Sequence, residues 1–276
     1  MIDADIPLTL SVARLRDYKR IERLCKRAVG LNDYVLLILR DVIRDKSLFL
    51  AWIGDQLVGM TRLGMCIDGN GWLSMARTDP KWRGKGVARF LQYELAKHAK
   101  ARGARRMRLW TLSSNKPAIN SCKKGGFSVV CEATHVSHEF RSKQSTHRPF
   151  NNVATSKTIP KPPFLLQMNG YLPYKRYFVR ANSLLLDKLR RRHEMYSAEE
   201  STFVFTKPEV SFRRLSSSFT LLEGDPRKTL LLVLSKARSL RVDWVGGYLP
   251  YRRNMLEAAS KNRFRIDKFV KRREKN

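Results

Sequence analysis

Residues 71–103 read GWLSMARTDPKWRGKGVARFLQYELAKHAKARG, and this stretch decides how the chain is read. It opens on a β-rich run, Gly71 to Thr78, that Asp79-Pro80 brings to an end. It closes on Val87 to Arg102, where Phe90, Leu91, Leu95 and Ala99 recur at helical spacing. Between strand and helix lies Arg83-Gly84-Lys85-Gly86-Val87-Ala88. Glycine has no Cβ, so the backbone can turn tightly there and let a ligand come close. The helix that follows leaves its first N–H groups unpaired and carries partial positive charge at that end. Strand, glycine loop and helix N-terminus together make an anion socket, to which Arg83 and Lys85 add full charges. The spacing is neither GxxxxGK[ST] nor GxGxxG, so neither of those phosphate loops is meant. Taken alone, a plain tight turn fits the residues as well as a socket does.

Outward from this stretch the chain alternates strands and helices. Leu8 to Val12 is a short strand, and Arg14 to Val29 and Tyr34 to Ile43 read as helices. Residues 48–54 and 57–68 form two β-rich runs joined across Asp55-Gln56, the pattern of a hairpin. Arg106 to Leu112 returns to strand, Ala118 to Lys124 is a short helix stopped by Gly125-Gly126, and Phe127 to Phe140 is strand-rich. The order β α α β β β α β α β describes a mixed α/β unit of residues 1–142. Ser, Thr, Asn and Pro dominate residues 143–163, which read as a linker. Residues 164–276 form a second domain of alternating strands and helices, with helices at Leu184 to His193, Thr229 to Leu240 and Asn254 to Ala259.

The run Arg83-x-x-Gly86-x-Ala88 resembles the acetyl-CoA motif [QR]-x-x-G-x-[GA] of the GNAT acetyltransferase superfamily. Asn115-x-x-Ala118 with Gly126-Phe127 is similar to that family's second element, N-x-x-A-x(7)-G-F, in the family's order and spacing. The resemblance covers residues 6–140 and, within the superfamily, looks most like a two-module prokaryotic type with a diverged second half. It implies a mostly antiparallel central sheet flanked by helices, with acetyl-CoA as cosubstrate and no metal. It places the CoA diphosphate on Arg83, Gly84, Lys85, Gly86, Val87 and Ala88, and the pantetheine arm along Ala76, Arg77 and Thr78, with Asn115 a further contact. An amine acceptor then attacks the thioester directly. That reaction is helped by positioning, a donor for the developing oxyanion, removal of the ammonium proton and a proton for the departing thiolate.

The chain departs from the family where side chains do chemistry. Ser74 stands where many members have a glutamate base, and Cys122 stands seven residues after Asn115, where many have a tyrosine acid. A thiol can protonate a thiolate, whereas Ser74 can only hold a water. Cys122 also suits plain packing of its helix on the sheet. The replacement carboxylates are Glu132 on the following strand, which is preferred, and Asp79 beside the loop, which also suits a turn or cap. His135 and His138, three apart on a strand, face opposite sides. Asn115 is also placed to cap the helix it opens.

The 276 residues carry 55 Lys+Arg against 24 Asp+Glu, a net charge of +31, divided as +12 over residues 1–140 and +19 over 141–276. With 43% hydrophobic and 10% aromatic residues both halves can build cores, which excludes a disordered basic tail. Four cysteines without a CxxC pair argue against disulfides and structural zinc. An acidic N-terminus and the lack of a long apolar run predict a cytoplasmic protein with no membrane partner. In the second half, Glu223 to Lys228 occupies the place of the acetyl-CoA loop without its motif. GYLPYKRYF (170–178) and GYLPYRRNM (247–255) interleave aromatic and basic residues, as single-stranded nucleic acid binders do, or pack locally as edge segments. The basic second half would suit an acidic partner or nucleic acid. The expected function is N-acetyl transfer to a primary amine. A small metabolite such as an amino acid is favoured over protein, because two modules can close a pocket. The alternative is a degenerate CoA-binding protein docked on RNA or the ribosome.

Overall fold

A computed structural model describes residues 7–140, 154–156, 162–211 and 214–275. The linker expected over 143–163 lies outside these residues except at 154–156 and 162–163. The chain divides into two compact units, residues 1–129 with 273–276 and residues 130–272. The strand that follows the second glycine pair therefore groups almost wholly with the second unit.

In the first unit β1 (Leu8–Val12) pairs antiparallel with β2 (Leu48–Ile53), after helices α1 (Tyr18–Ala28) and α2 (Val35–Arg44). β2 turns through Gly54 and Asp55 into β3 (Gln56–Met65), so the hairpin turn lies one residue earlier than the sequence suggests. Gly54 holds φ +52°, which glycine adopts without strain. β3 pairs antiparallel with β4 (Gly71–Thr78), and α3 (Val87–Ala101) carries the chain over to β5 (Met107–Leu112), parallel to β4. The spatial order is β1-β2-β3-β4-β5. α4 (Lys116–Lys124) follows β5.

β2 is apolar at every buried position because both faces of the sheet are covered. Leu48 and Leu50 join Ile21, Leu24, Val35 and Leu39 of α1 and α2, whereas Phe49 and Ala51 face the layer of α3. Alternate residues of one strand thus serve opposite helical layers.

The second unit holds β6 (Ser128–Glu139), β7 (Ala154–Thr155), α5 (Pro163–Leu166), β8 (Tyr171–Tyr174), β9 (Tyr177–Arg180), α6 (Ser183–Arg191), β10 (Met195–Ala198) and β11 (Ser201–Phe205). Then come β12 (Glu209–Ser211), β13 (Arg214–Glu223), α7 (Pro226–Ser239), β14 (Trp244–Pro250), α8 (Arg253–Lys261) and β15 (Arg265–Lys275). Its sheet runs β15-β6-β14-β13-β11-β10-β7, with β13 and β14 parallel across α7. Phe205, Phe219, Leu230, Val233, Val245 and Met255 form its core with α7 and α8. The first aromatic echo is the β8–β9 hairpin, where Tyr171, Tyr174 and Phe178 are buried. Tyr248 of the second echo is buried against Phe178, at 5.0 Å between ring centroids. These rings pack locally and offer no stacking face, while Tyr251 is 59% exposed. Among the described residues no helix is long and apolar enough to cross a membrane.

Candidate active site

β4 and β5 keep company only briefly, with Gly71 opposite Met107 and Trp72 opposite Arg108. Beyond that point the β5-facing edge of β4 is open among the described residues. On the other edge the register with β3 slips between Met60 and Arg62, so that Thr61 opposes two residues, Met75 and Ala76. Met75 takes φ +56°, a left-handed conformation rare for a residue with a long side chain. After this bulge the Asp79 N–H donates to the Val58 carbonyl at 2.9 Å. By the alternation of an antiparallel ladder, Arg77 and Asp79 turn their backbone groups toward β3, and Ala76 and Thr78 turn theirs to the open edge. Ala76 is exposed there. This edge can hydrogen-bond an extended, amide-bearing ligand as a further strand would.

The edge leads directly into the glycine loop. Gly84 and Gly86 both hold left-handed φ, +79° and +84°. Gly86 is the N-cap of α3 and offers no side chain to its first N–H groups. Those groups are therefore available to an anion. Lys85 lies with its ammonium 4.7 Å from the centroid of the Trp82 ring. Arg83 Nη2 donates to the carbonyl of Ala28 at the end of α1, at 2.7 Å, which ties the loop to the helix terminus whose dipole favours a cation. Val87 is buried, and Ala88 half-buried, in the first turn of α3.

Asp79 is a structural residue. It is 2% exposed, its Oδ1 accepts the Lys81 N–H at 3.1 Å, and its Oδ2 lies 2.8 Å from both Nε and Nη2 of Arg27 on α1. Gly59 of β3 lies beneath the loop, where a Cβ would come 2.5 Å from Cγ1 of Val87. The absence of a side chain at Gly59 is what lets α3 start so close to the sheet.

The remaining predicted residues divide. Asn115 caps α4, its Oδ1 accepting the Ala118 N–H at 3.2 Å. Ser74 is half-buried on β4 opposite Arg62 of β3, immediately before the bulge. Cys122 is 4% exposed within the apolar cluster of Phe49, Leu73, Leu95, Met107 and Phe127. Glu132 is half-buried on β6, in the second unit.

Arg77 was expected through its backbone, yet its side chain makes a two-pronged buried ion pair. Its Nε and Nη2 donate to the two carboxylate oxygens of Asp33, each at 2.7 Å, and Nη1 donates to the Ala76 carbonyl at 3.0 Å. The Asp33 side chain is fully buried, and Arg77 is 13% exposed. Burial alone would raise the Asp33 carboxyl, but the hydrogen-bonded guanidinium and the Val35 N–H hold it below the usual carboxylate range. Nearby Cys25 is pushed up to about 12, chiefly by burial and then by the Asp33 charge. Sequence reasoning missed this pair because its members are 44 residues apart. Its local signal was an Asp two residues ahead of the apolar run Val35–Arg44, a helix-start signature.

Residues 15–127 match the family model described as "Acetyltransferase (GNAT) family". The chain carries a GNAT acetyltransferase domain. Over these residues the chain is similar to acetyltransferases of the GNAT type. The match contains the open β4 edge and the glycine loop but only the first unit. Solved structures extend the likeness in fold over nearly the whole chain. A putative acetyltransferase from Thermoplasma acidophilum covers 97% of this chain and 93% of its own at TM-score 0.54 and 13% identity. A GCN5-related N-acetyltransferase from Sphaerobacter thermophilus covers 97% and 95% at TM-score 0.59 and 11% identity. A putative acetyltransferase from Pyrococcus horikoshii covers 97% and 88% at TM-score 0.54 and 14% identity. No curated protein matches the sequence.

Proposed function

We propose that the chain transfers an acetyl group from acetyl-CoA directly to a primary amine, with a small metabolite such as an amino acid as acceptor. The observation that carries this reading is the continuity of the open β4 edge at Ala76 and Thr78 with the uncapped α3 N-terminus behind Gly86. An anionic diphosphate suits the N–H groups of the loop, with Arg83 and Lys85 beside it. An amide-bearing arm suits the backbone groups of Ala76 and Thr78. Acetyl-CoA supplies the activated thioester, and the acceptor amine displaces the CoA thiolate from it.

Within this reading the protein's work is mostly positioning and backbone electrostatics. An edge N–H at Ala76 meets the charge that develops on the carbonyl oxygen. Ser74, just before the bulge, holds a water that accepts the ammonium proton. Glu132 stays the candidate carboxylate, and the burial of Cys122 among apolar residues supports packing over protonation of the thiolate.

The second unit is read as a diverged GNAT-like half. Its sequence β13, α7, β14, α8, β15 repeats the order β4, α3, β5, α4, β6, including a parallel strand pair across a helix. At the corresponding loop Asp225 occupies the N-cap of α7, its Oδ1 accepting the Lys228 N–H at 2.9 Å. A fixed carboxylate there repels a diphosphate, so the socket is lost. Thiol release from acetyl-CoA over a panel of amino acids, polyamines and peptides tests the proposal, and at least one acceptor is expected. Acetyl-CoA binding without release for any amine would instead favour a CoA-binding protein without turnover, the reading that the missing glutamate at Ser74 supports.

A further inference from the structure

The buried pair of Asp33 and Arg77 takes no part in the diphosphate socket, and its geometry leads elsewhere. Asp33 is fixed at the start of α2, where Oδ1 also accepts the Val35 N–H at 3.1 Å. The Tyr34 ring covers the guanidinium, with Arg77 Cζ 5.6 Å from the ring centroid. The fork of Arg77 is thus immobilised by a buried carboxylate, and its remaining nitrogen, Nη1, reaches the Ala76 carbonyl at 3.0 Å. That carbonyl belongs to the Ala76–Arg77 peptide, one residue beyond Met75, whose φ of +56° persists only where the surroundings fix it. One rigid chain of contacts therefore runs from the α2 N-terminus to one backbone group of the open edge.

We propose that Asp33 and Arg77 are positioning residues for the acyl donor. The fork holds the Ala76 peptide after the bulge, so that the edge groups of Ala76 and Thr78 meet the pantetheine arm and its thioester in one orientation. This inference rests on the acetyl-CoA reading of the site and adds to it two side chains that need not touch the diphosphate. Arginine is required at 77 for a specific reason. A lysine ammonium can pair with Asp33, but it is a single point charge and cannot grip both carboxylate oxygens and a carbonyl at once.

The test uses the full chain with Arg77→Lys and Asp33→Asn, titrated by competition with acetyl-CoA and with adenosine 3′,5′-bisphosphate, which lacks the pantetheine arm. In Arg77→Lys the affinity for acetyl-CoA should fall roughly tenfold or more, the scale of a lost charge-assisted hydrogen bond. Affinity for the bisphosphate should stay within about twofold, since its phosphates need only the loop. The melting temperature should remain near that of the wild type because the ion pair survives. Asp33→Asn should show the same selective loss. Wild-type acetyl-CoA affinity in Arg77→Lys, or an equal loss of both ligands, would overturn the positioning role while leaving the acetyl-CoA reading intact. A wild-type chain that binds no acetyl-CoA would overturn that reading and this inference with it.

Discussion

Gly59→Ala tests the packing that places the glycine loop. The added Cβ would stand 2.5 Å from Val87 Cγ1, and 3.3 Å from both the Arg77 carbonyl oxygen and Leu91 Cδ1. Carbon atoms rest at about 3.5–4.0 Å, so the first of these contacts is short by about 1 Å or more. Val87 is β-branched and has essentially one rotamer in a helix, which leaves the first turn of α3 to move instead. Overpacking of this kind costs about 1–3 kcal/mol, from which the lower chain entropy of alanine returns somewhat under about 1 kcal/mol. The net destabilisation expected is about 1–2 kcal/mol, measured from urea midpoints at unchanged slope. Because the moved turn carries Gly86, acetyl-CoA affinity should fall as well. Val87→Ala removes the offending methyl group, so the double variant should lose at least about 1 kcal/mol less than the sum of the two single losses. Additive losses, or a neutral Gly59→Ala, would refute the claim that close approach at Gly59 sets the position of α3.

Two further outcomes follow from the buried carboxylates. Asp79→Ala removes the Lys81 cap and the partner of Arg27 together and should cost about 1–3 kcal/mol in urea unfolding, whereas Asp79→Asn, which keeps the cap, should cost less. The folded-state value of Asp33 lies below its ordinary 3.8, so its contribution is complete at neutral pH and is lost as pH falls through the lowered value. Urea titrations at successive pH values should therefore show the wild type losing stability below about pH 4, and Asp33→Asn losing less of it over the same range. A variant with the wild-type acid slope would remove Asp33 from that account.

Much of the first unit was legible because its signals are local. The apolar run of β2, the amphipathic face of α3 and the Asp79-Pro80 stop each lie within one turn or strand of the residues they organise. Asn115 was readable as a cap, and Gly84 and Gly86 as a tight turn before a helix, for the same reason. What escaped depends on residues distant in sequence. Gly59 reads as one glycine in a strand until Val87 is brought over it, and Asp33 reads as a helix-start residue until Arg77 arrives from β4. The divergence of β4 from β5 beyond Trp72 leaves no mark in either strand. β15 was missed because its sequence, Arg265 to Lys275, is mostly charged, and of the β8–β9 segment only local packing at an edge was readable, not the hairpin. There the burial of Tyr171 and Tyr174 by β13 and its neighbours overrides composition.

Calorimetric titration of acetyl-CoA into the wild-type chain and into Arg83→Glu addresses the central claim most directly. Arg83 is exposed, so the substitution places a carboxylate at the socket without disturbing the core. Micromolar binding by the wild type and none by Arg83→Glu is the predicted result. Absence of binding by the wild type, or unchanged binding in the variant, would contradict the assignment of the glycine loop to the diphosphate.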